Sequence, residues 1–193
     1  MTEDFYFSPI EETGPFGSDD GSDAAYGFRE WRLLNKKASP VVYLKELIAG
    51  WQYPYFDYTE IDTAKVNAYF NQDKILSETE IQQYVKELKK MTANSPDKSG
   101  KPLNDQQLRE IVISSSKSMN DRYLLGMDNA IIEIGFAQFV LEGRVDSDIK
   151  ALTITAINRQ LLPILINRYS EDYRVVRKEQ LTKMLGVLKK ASS

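Results

Sequence analysis

From Met127 to Ile166 the chain carries its longest stretch that is stable only when protein surrounds it. Ala130, Ile131, Ile134, Ala137 and Leu141 recur at helical spacing, and Ile132, Phe136, Phe139 and Val140 make the remaining faces apolar as well. A helix apolar on every side has to be central. Gly143 tolerates a positive φ past its end, and Asp146 or Ser147 offers a side-chain acceptor to cap the next helix. Ile149, Leu152, Ala156, Ile157 and Leu161 continue the pattern up to Pro163, which should bend or end it. The expectation is a buried helical hairpin with a short connection, a scaffold that by itself names no substrate.

At 193 residues and 42% hydrophobic, the chain can bury one substantial core, so a single domain over 1–193 is expected. No run approaches the ~18 consecutive apolar residues of a membrane span, and the start Met1-Thr2-Glu3-Asp4 is acidic where a secretory signal is basic. These features lead to the expectation of a cytoplasmic protein with no membrane partner. Cysteine is absent, which removes disulfides, thiolate nucleophiles and zinc-thiolate sites. Histidine is absent too, which excludes Ser-His-Asp and Cys-His catalysis, imidazole bases and His-ligated metals. Chemistry, if any, must use carboxylates, Lys, Arg, Ser, Thr or Tyr. The formal net charge of -3 lacks the basic footprint of a general nucleic-acid binder. Charge is nevertheless uneven: residues 1–30 hold eight acids against Arg29 alone, whereas residues 168–193 hold seven Lys or Arg against three acids.

Along the chain, Pro9, Gly14, Pro15, Gly17 and Gly21 break residues 1–21 into an irregular acidic segment, in which Phe5, Phe7 and Phe16 favour order. A helix is expected from Ser22, with Asp20 as its cap, Asp23 in its first turn and a face of Ala24, Ala25, Phe28, Trp31, Arg32 and Leu34. Gly27 weakens that helix unless it serves close packing. Ser39 and Pro40 open a second helix through Val41, Leu44, Leu47 and Ile48, ending at Gly50. A short helix over Thr63 to Asn71 follows. Ser77 and Glu80 form a capping box for another, through Ile81, Tyr84, Val85 and Leu88. Residues 92–103 read as a flexible loop, Asn104 or Asp105 caps a helix through Leu108, Ile111 and Val112, and the serine run from Ser114 weakens it. Tyr173, Val176, Leu181, Met184, Leu185 and Leu188 define a last helix from about Glu171 to Lys190, basic on its outer face. The fold class is therefore mainly α: a multi-helix bundle around the C-terminal hairpin.

Two stretches are candidates for function. Asp19, Asp20 and Asp23 crowd a glycine-hinged loop, Gly17-Ser18-Asp19-Asp20-Gly21-Ser22-Asp23, which could hold a hard cation such as Ca²⁺ or Mg²⁺ through oxygen ligands. It lacks EF-hand spacing and any phosphate-loop lysine, and the plainer reading is a tight turn with helix caps. No other cofactor is expected. Trp51, Tyr53, Tyr55, Phe56 and Tyr58 form an aromatic-dense loop that either offers a surface to a protein partner or closes one end of the core. Asp128 and Glu133 stand on the central helix, but the Glu-x-x-His pattern of di-metal bundles is impossible without histidine.

Two segments resemble the uncharacterised bacterial YfeS-like proteins. The first runs from Phe5-Tyr6-Phe7 through the Gly14-Pro15-Phe16-Gly17-Ser18-Asp19-Asp20 loop to Phe28-Arg29-Glu30-Trp31-Arg32. The second runs from Ile134-Gly135-Phe136-Ala137-Gln138-Phe139-Val140-Leu141-Glu142-Gly143 to Arg159-Gln160-Leu161-Leu162-Pro163. Together they cover under half of the chain. Some relatives are associated with a Trp-Gly-Arg domain, and no such triplet occurs in this chain. The resemblance implies a shared fold and supplies no activity.

These readings lead to the expectation of a non-enzymatic interaction or regulatory protein with an unidentified protein partner, the alternative being a carboxylate-based cation binder or metal-assisted hydrolase. The charge asymmetry leaves two arrangements open for the N-terminal segment. Either it docks on the basic last helix, near Lys183, Lys189 and Lys190, or it packs elsewhere and leaves that face solvated.

Overall fold

The computed structural model describes residues 1–72, 76–92, 103–116 and 119–193. Among these the chain is a mainly α multi-helix bundle without a strand: α1 (Asp19–Leu34), α2 (Pro40–Gly50), α3 (Thr63–Phe70), α4 (Glu78–Thr92), α5 (Asp105–Ser116), α6 (Asn120–Glu142), α7 (Ser147–Gln160), α8 (Pro163–Ile166) and α9 (Glu171–Lys190). Most of the loop expected at 92–103, and the end of the serine run at 117–118, lie outside the described residues. The chain divides into two compact units, 1–67 with 123–193, and 68–122.

In the first unit α6 is the axis. Every residue from Gly126 to Gln138 is buried, as a helix without a polar face requires. Phe28, Leu44, Ile149, Ile157, Leu181, Met184 and Leu188, contributed by α1, α2, α7 and α9, are buried in the same unit. By length and composition α6 could cross a membrane, yet most of it is enclosed by protein. Its last turn emerges, so Val140 and Leu141, expected in the core, are about half exposed. Gly143 takes φ +70 and its N–H donates to Phe139 O at 2.9 Å, closing the helix as its sequence position suggested. Asp146 stands at the N-cap of α7 but makes no side-chain cap hydrogen bond. Its carboxylate is turned to Arg144 and Arg32 instead.

Helix α1 begins one turn earlier than expected. Ser18, not Asp20, is the N-cap, accepting the Gly21 N–H at 3.2 Å. Leu34, assigned to the inner face, is 88% exposed because α1 ends at that residue, while Arg32 is buried and donates to Glu142 at 2.5 Å. Gly27 lies against the Tyr43 hydroxyl of α2, the close packing its presence implied. In α9, Leu181, Met184 and Leu188 are buried as read, but Val176 is exposed and Arg177 and Gln180 turn inward. The reason is the surface they meet, which is polar.

That surface belongs partly to the N-terminal segment. Phe5 and Tyr6 are buried in a short 3-10 turn, Asp4–Tyr6, with the Tyr6 ring 6.0 Å from that of Phe136. Lys183 of α9 donates to Glu3 at 2.5 Å and lies 5.8 Å from the centre of the Phe5 ring. Gln180 donates to Glu11 at 3.3 Å. The acidic segment thus docks on α9, through Arg177, Gln180 and Lys183. Lys189 and Lys190 are exposed beyond the contact.

The second unit holds the last turn of α3, α4, α5 and the first residues of α6. Its helices start on local signals. Ser77 and Glu80 form the reciprocal box, at 2.8 and 3.3 Å. Asn104 and Gln107 form another, at 2.9 Å each way. Helices α4 and α5 pack together, with Ile81, Leu108 and Val112 buried and two exposed ion pairs, Arg109–Glu78 and Lys89–Asp105, at 2.6 Å. The Asn120 amide donates to Tyr69 O and Gln72 O at 2.8 and 2.7 Å.

Candidate functional site

The inward polar residues of α6 organise the first unit's interior. Asp128 is held by Arg159 of α7, whose Nε–H reaches both carboxylate oxygens at 3.1 and 3.2 Å and whose Nη2 also donates to it. The Nη1 of Arg159 donates to Tyr58 O at 3.0 Å and Glu60 O at 2.6 Å, and the guanidinium lies 5.2 Å from the centre of the Phe56 ring. Burial pushes the Asp128 carboxyl up to about 6, against the attraction of Arg159. A buried ion pair with its remaining donors committed to backbone carbonyls is a fastening. It ties the 56–60 stretch to α6 and α7.

A second network joins α9 to the N-terminal segment. Arg177 donates to Thr13 O and Gln160 Oε1, each at 2.5 Å, and to Asn129 Oδ1 at 3.3 Å; Gln160 donates to Asn129 at 3.0 Å. Burial works against the charge of Arg177.

Glu133 lies beneath the start of α1. Ser18 Oγ donates to its Oε1 at 3.1 Å, while Oε2 has no hydrogen-bond partner. Burial pushes this carboxyl up to about 9, with Asp20 and Asp23 adding to the rise and Ser18 and Arg177 opposing it, so Glu133 is protonated at neutral pH. A Cβ on Gly21 would overlap the Glu133 carboxyl, which fixes glycine at that position. The close approach explains the early start of α1. Ser18 is held from below by Glu133 and is therefore placed to cap.

The three aspartates singled out in the sequence fall on and just after the first turn of α1. Asp19 and Asp23 are exposed; Asp20 is half-buried and accepts the Tyr53 hydroxyl at 3.1 Å. Burial, together with Asp19 and Asp23, raises the Asp20 carboxyl, and the Tyr53 hydroxyl is pushed up to about 12. Among the described residues no group of three or more His, Cys, Asp or Glu is placed to hold a metal ion. The aromatic stretch disperses. Phe56 is buried beneath Arg159, Trp51 and Tyr123 flank Tyr53 at 5.2 and 4.7 Å between ring centres, Tyr58 contributes its carbonyl, and Tyr55 is 87% exposed. The sequence pairs Tyr53 with no aspartate, and it singles out neither Arg159 nor Arg177. The available signal was an arginine set at core spacing: Arg177 precedes Leu181 by four residues and Met184 by seven.

A surface groove of about 370 Å³ lies between the N-terminal loop, α1 and the emerging end of α6. Its walls are Phe7, Pro9, Phe16, Ala25, Tyr26, Ala137, Val140 and Leu141, together with the polar Ser22 and Arg29. Phe7, Tyr26, Val140 and Leu141 each leave 45–66% of their surface exposed. Comparison of the chain with known protein families, curated proteins and solved structures finds no match.

Proposed function

We propose that this chain is a non-enzymatic cytoplasmic interaction or regulatory protein that binds a protein partner through the groove beside α1. The observation that carries the reading is the cluster of exposed Phe7, Tyr26, Val140 and Leu141 around a concave apolar surface. Contiguous exposed apolar surface with aromatic residues marks interaction sites. The interior ionisable groups support the same reading, because Asp128 is closed by Arg159 and Glu133 is covered by Ser18 and Gly21. The likeness to YfeS-like proteins enters as a proposal of shared fold and adds no activity to it. Affinity capture with the full-length protein, beside a Val140→Ser/Leu141→Ser variant, is the test. A partner recovered by the first and lost by the second is expected. Failure to recover any partner, with turnover on a broad hydrolase panel, overturns the reading.

The second reading keeps a divalent cation at the start of α1, where Asp19, Asp20 and Asp23 lie on and just after the first turn with Asp19 and Asp23 exposed. A bound ion at ~100 times its Kd would stabilise the fold by about 2.7 kcal/mol. Thermal melts with Ca²⁺, Mg²⁺ and Mn²⁺ against EDTA separate the two readings. Unchanged melting with all three ions removes the cation.

A further inference from the structure

Resting on that interaction reading, we infer that the groove receives an amphipathic helix whose polar face is basic. The acids of residues 1–30 are engaged to different extents. Glu3 is paired with Lys183, and Glu11 accepts from Thr13 and Gln180. Asp4, Glu12, Asp19, Asp23 and Glu30 are all exposed, with no ion pair or hydrogen bond through their side chains among the described residues, and the last three stand on α1. With Tyr26 and Leu33 these three fall at helical spacing (i, i+4, i+7, i+11, i+14) on one outer face of α1.

That face adjoins the groove, since Tyr26 belongs to both, while Ser22, Ala25 and Arg29, further round the helix, line the groove itself. The surface therefore presents an apolar trough with an unneutralised acidic row along one side. A helix docking by its apolar face places i, i+3, i+4 and i+7 anchors in such a trough and brings its flanking polar residues over the rim. Lys or Arg at those flanks meets Asp19, Asp23 and Glu30. Acidic flanks are repelled, as are nucleic-acid phosphates and anionic lipid surfaces. Arg29 is the one charged side chain among the groove's lining residues and gives the site one contact for a carboxylate on an otherwise basic ligand.

The test uses a displayed library of designed helices with a fixed Leu stripe and a randomised polar face, selected against the full-length protein. Selected sequences should be enriched in Lys and Arg, and their binding should weaken with added salt. Charge reversal by Asp23→Lys with Glu30→Lys should weaken a selected peptide by about tenfold or more, and Val140→Ser with Leu141→Ser should weaken it comparably, with melting of both variants unchanged. Selection of acidic or neutral faces overturns the inference, as does selection of nothing, or equal binding by the charge-reversed variant. So does a concentration-dependent dimer in sedimentation that Val140→Ser with Leu141→Ser disperses, because a second copy would then fill the groove. Failure here is distinguishable from failure of the interaction reading. A natural partner captured equally by wild type and the charge-reversed variant retains the interaction and removes the basic helix.

Discussion

The two compact units are built on different principles. In the 68–122 unit, helices α4 and α5 begin on capping boxes between residues three apart and carry exposed ion pairs across their contact. In the larger unit, α6 is buried from Gly126 to Gln138, and its polar residues there are answered from far along the chain: Glu133 by Ser18, 115 residues away, and Asp128 by Arg159, 31 residues away. The first kind of structure is specified where it stands. The second exists only once the chain has closed on itself, and its groups have no alternative partner in solvent.

Substitutions should respect that difference, and the largest effects belong to the enclosed unit. Arg159→Ala leaves Asp128 buried without its counter-ion and should cost ~3–5 kcal/mol. Ile134→Ala, at a fully buried position of α6, should cost ~2–5 kcal/mol. Chemical denaturation reads both, and a stability loss below ~1 kcal/mol for either would mean that α6 is not the axis.

A pH experiment sharpens the comparison. Glu133 has a folded-state pKa of about 9 against 4.5 for the ordinary side chain. Between those values the folded chain binds the proton more strongly than the unfolded one, so stability contributed by protonated Glu133 is lost as pH rises through that window. From pH 6.5 to 8.5, above the Asp128 value of about 6, the fall should approach ~1.4 kcal/mol per pH unit. Glu133→Gln should flatten it. Identical pH profiles for the two proteins would show that Glu133 ionises freely in the fold.

Smaller effects are expected in the other unit. Ser77→Ala removes one half of a capping box and should cost ~0.5–2 kcal/mol. Arg109→Ala breaks a solvent-exposed pair with Glu78, so melting at moderate salt should be unchanged. A marked loss for Arg109→Ala would break the distinction between the units.

The same distinction decides what could be read from the sequence. The Ser77–Glu80 box, Pro40 at the start of α2, Gly143 beyond α6 and the bounds of α9 were legible, because each depends on residues within a few positions. The centrality of α6 was legible because no polar face interrupts it. The start of α1 was misplaced because Ser18 is selected by Glu133, which no local pattern indicates. Arg177 was one of seven basic residues at the C-terminus that the sequence did not single out, although it reaches Thr13 across 164 residues. An arginine's spacing shows which face it occupies but not whether acceptors await it there. The groove was invisible for the same reason: its walls come from three separate segments, and Leu141 and Val140 read as core until the helix end was seen to emerge.

The enclosure of α6 also bears on how the protein is made. Synthesis proceeds from the N-terminus, so 23 residues apolar enough for a bilayer leave the ribosome before α7, α8 and α9 exist to cover them. Arg159 and Arg177, which answer the polar side chains of Asp128 and Asn129, arrive only with α7 and α9 themselves. During that interval the nascent chain presents an unshielded apolar helix with Asp128 and Glu133 among its apolar residues. Chaperone capture of ribosome-bound chains should therefore peak as α6 emerges and end once α9 has been released.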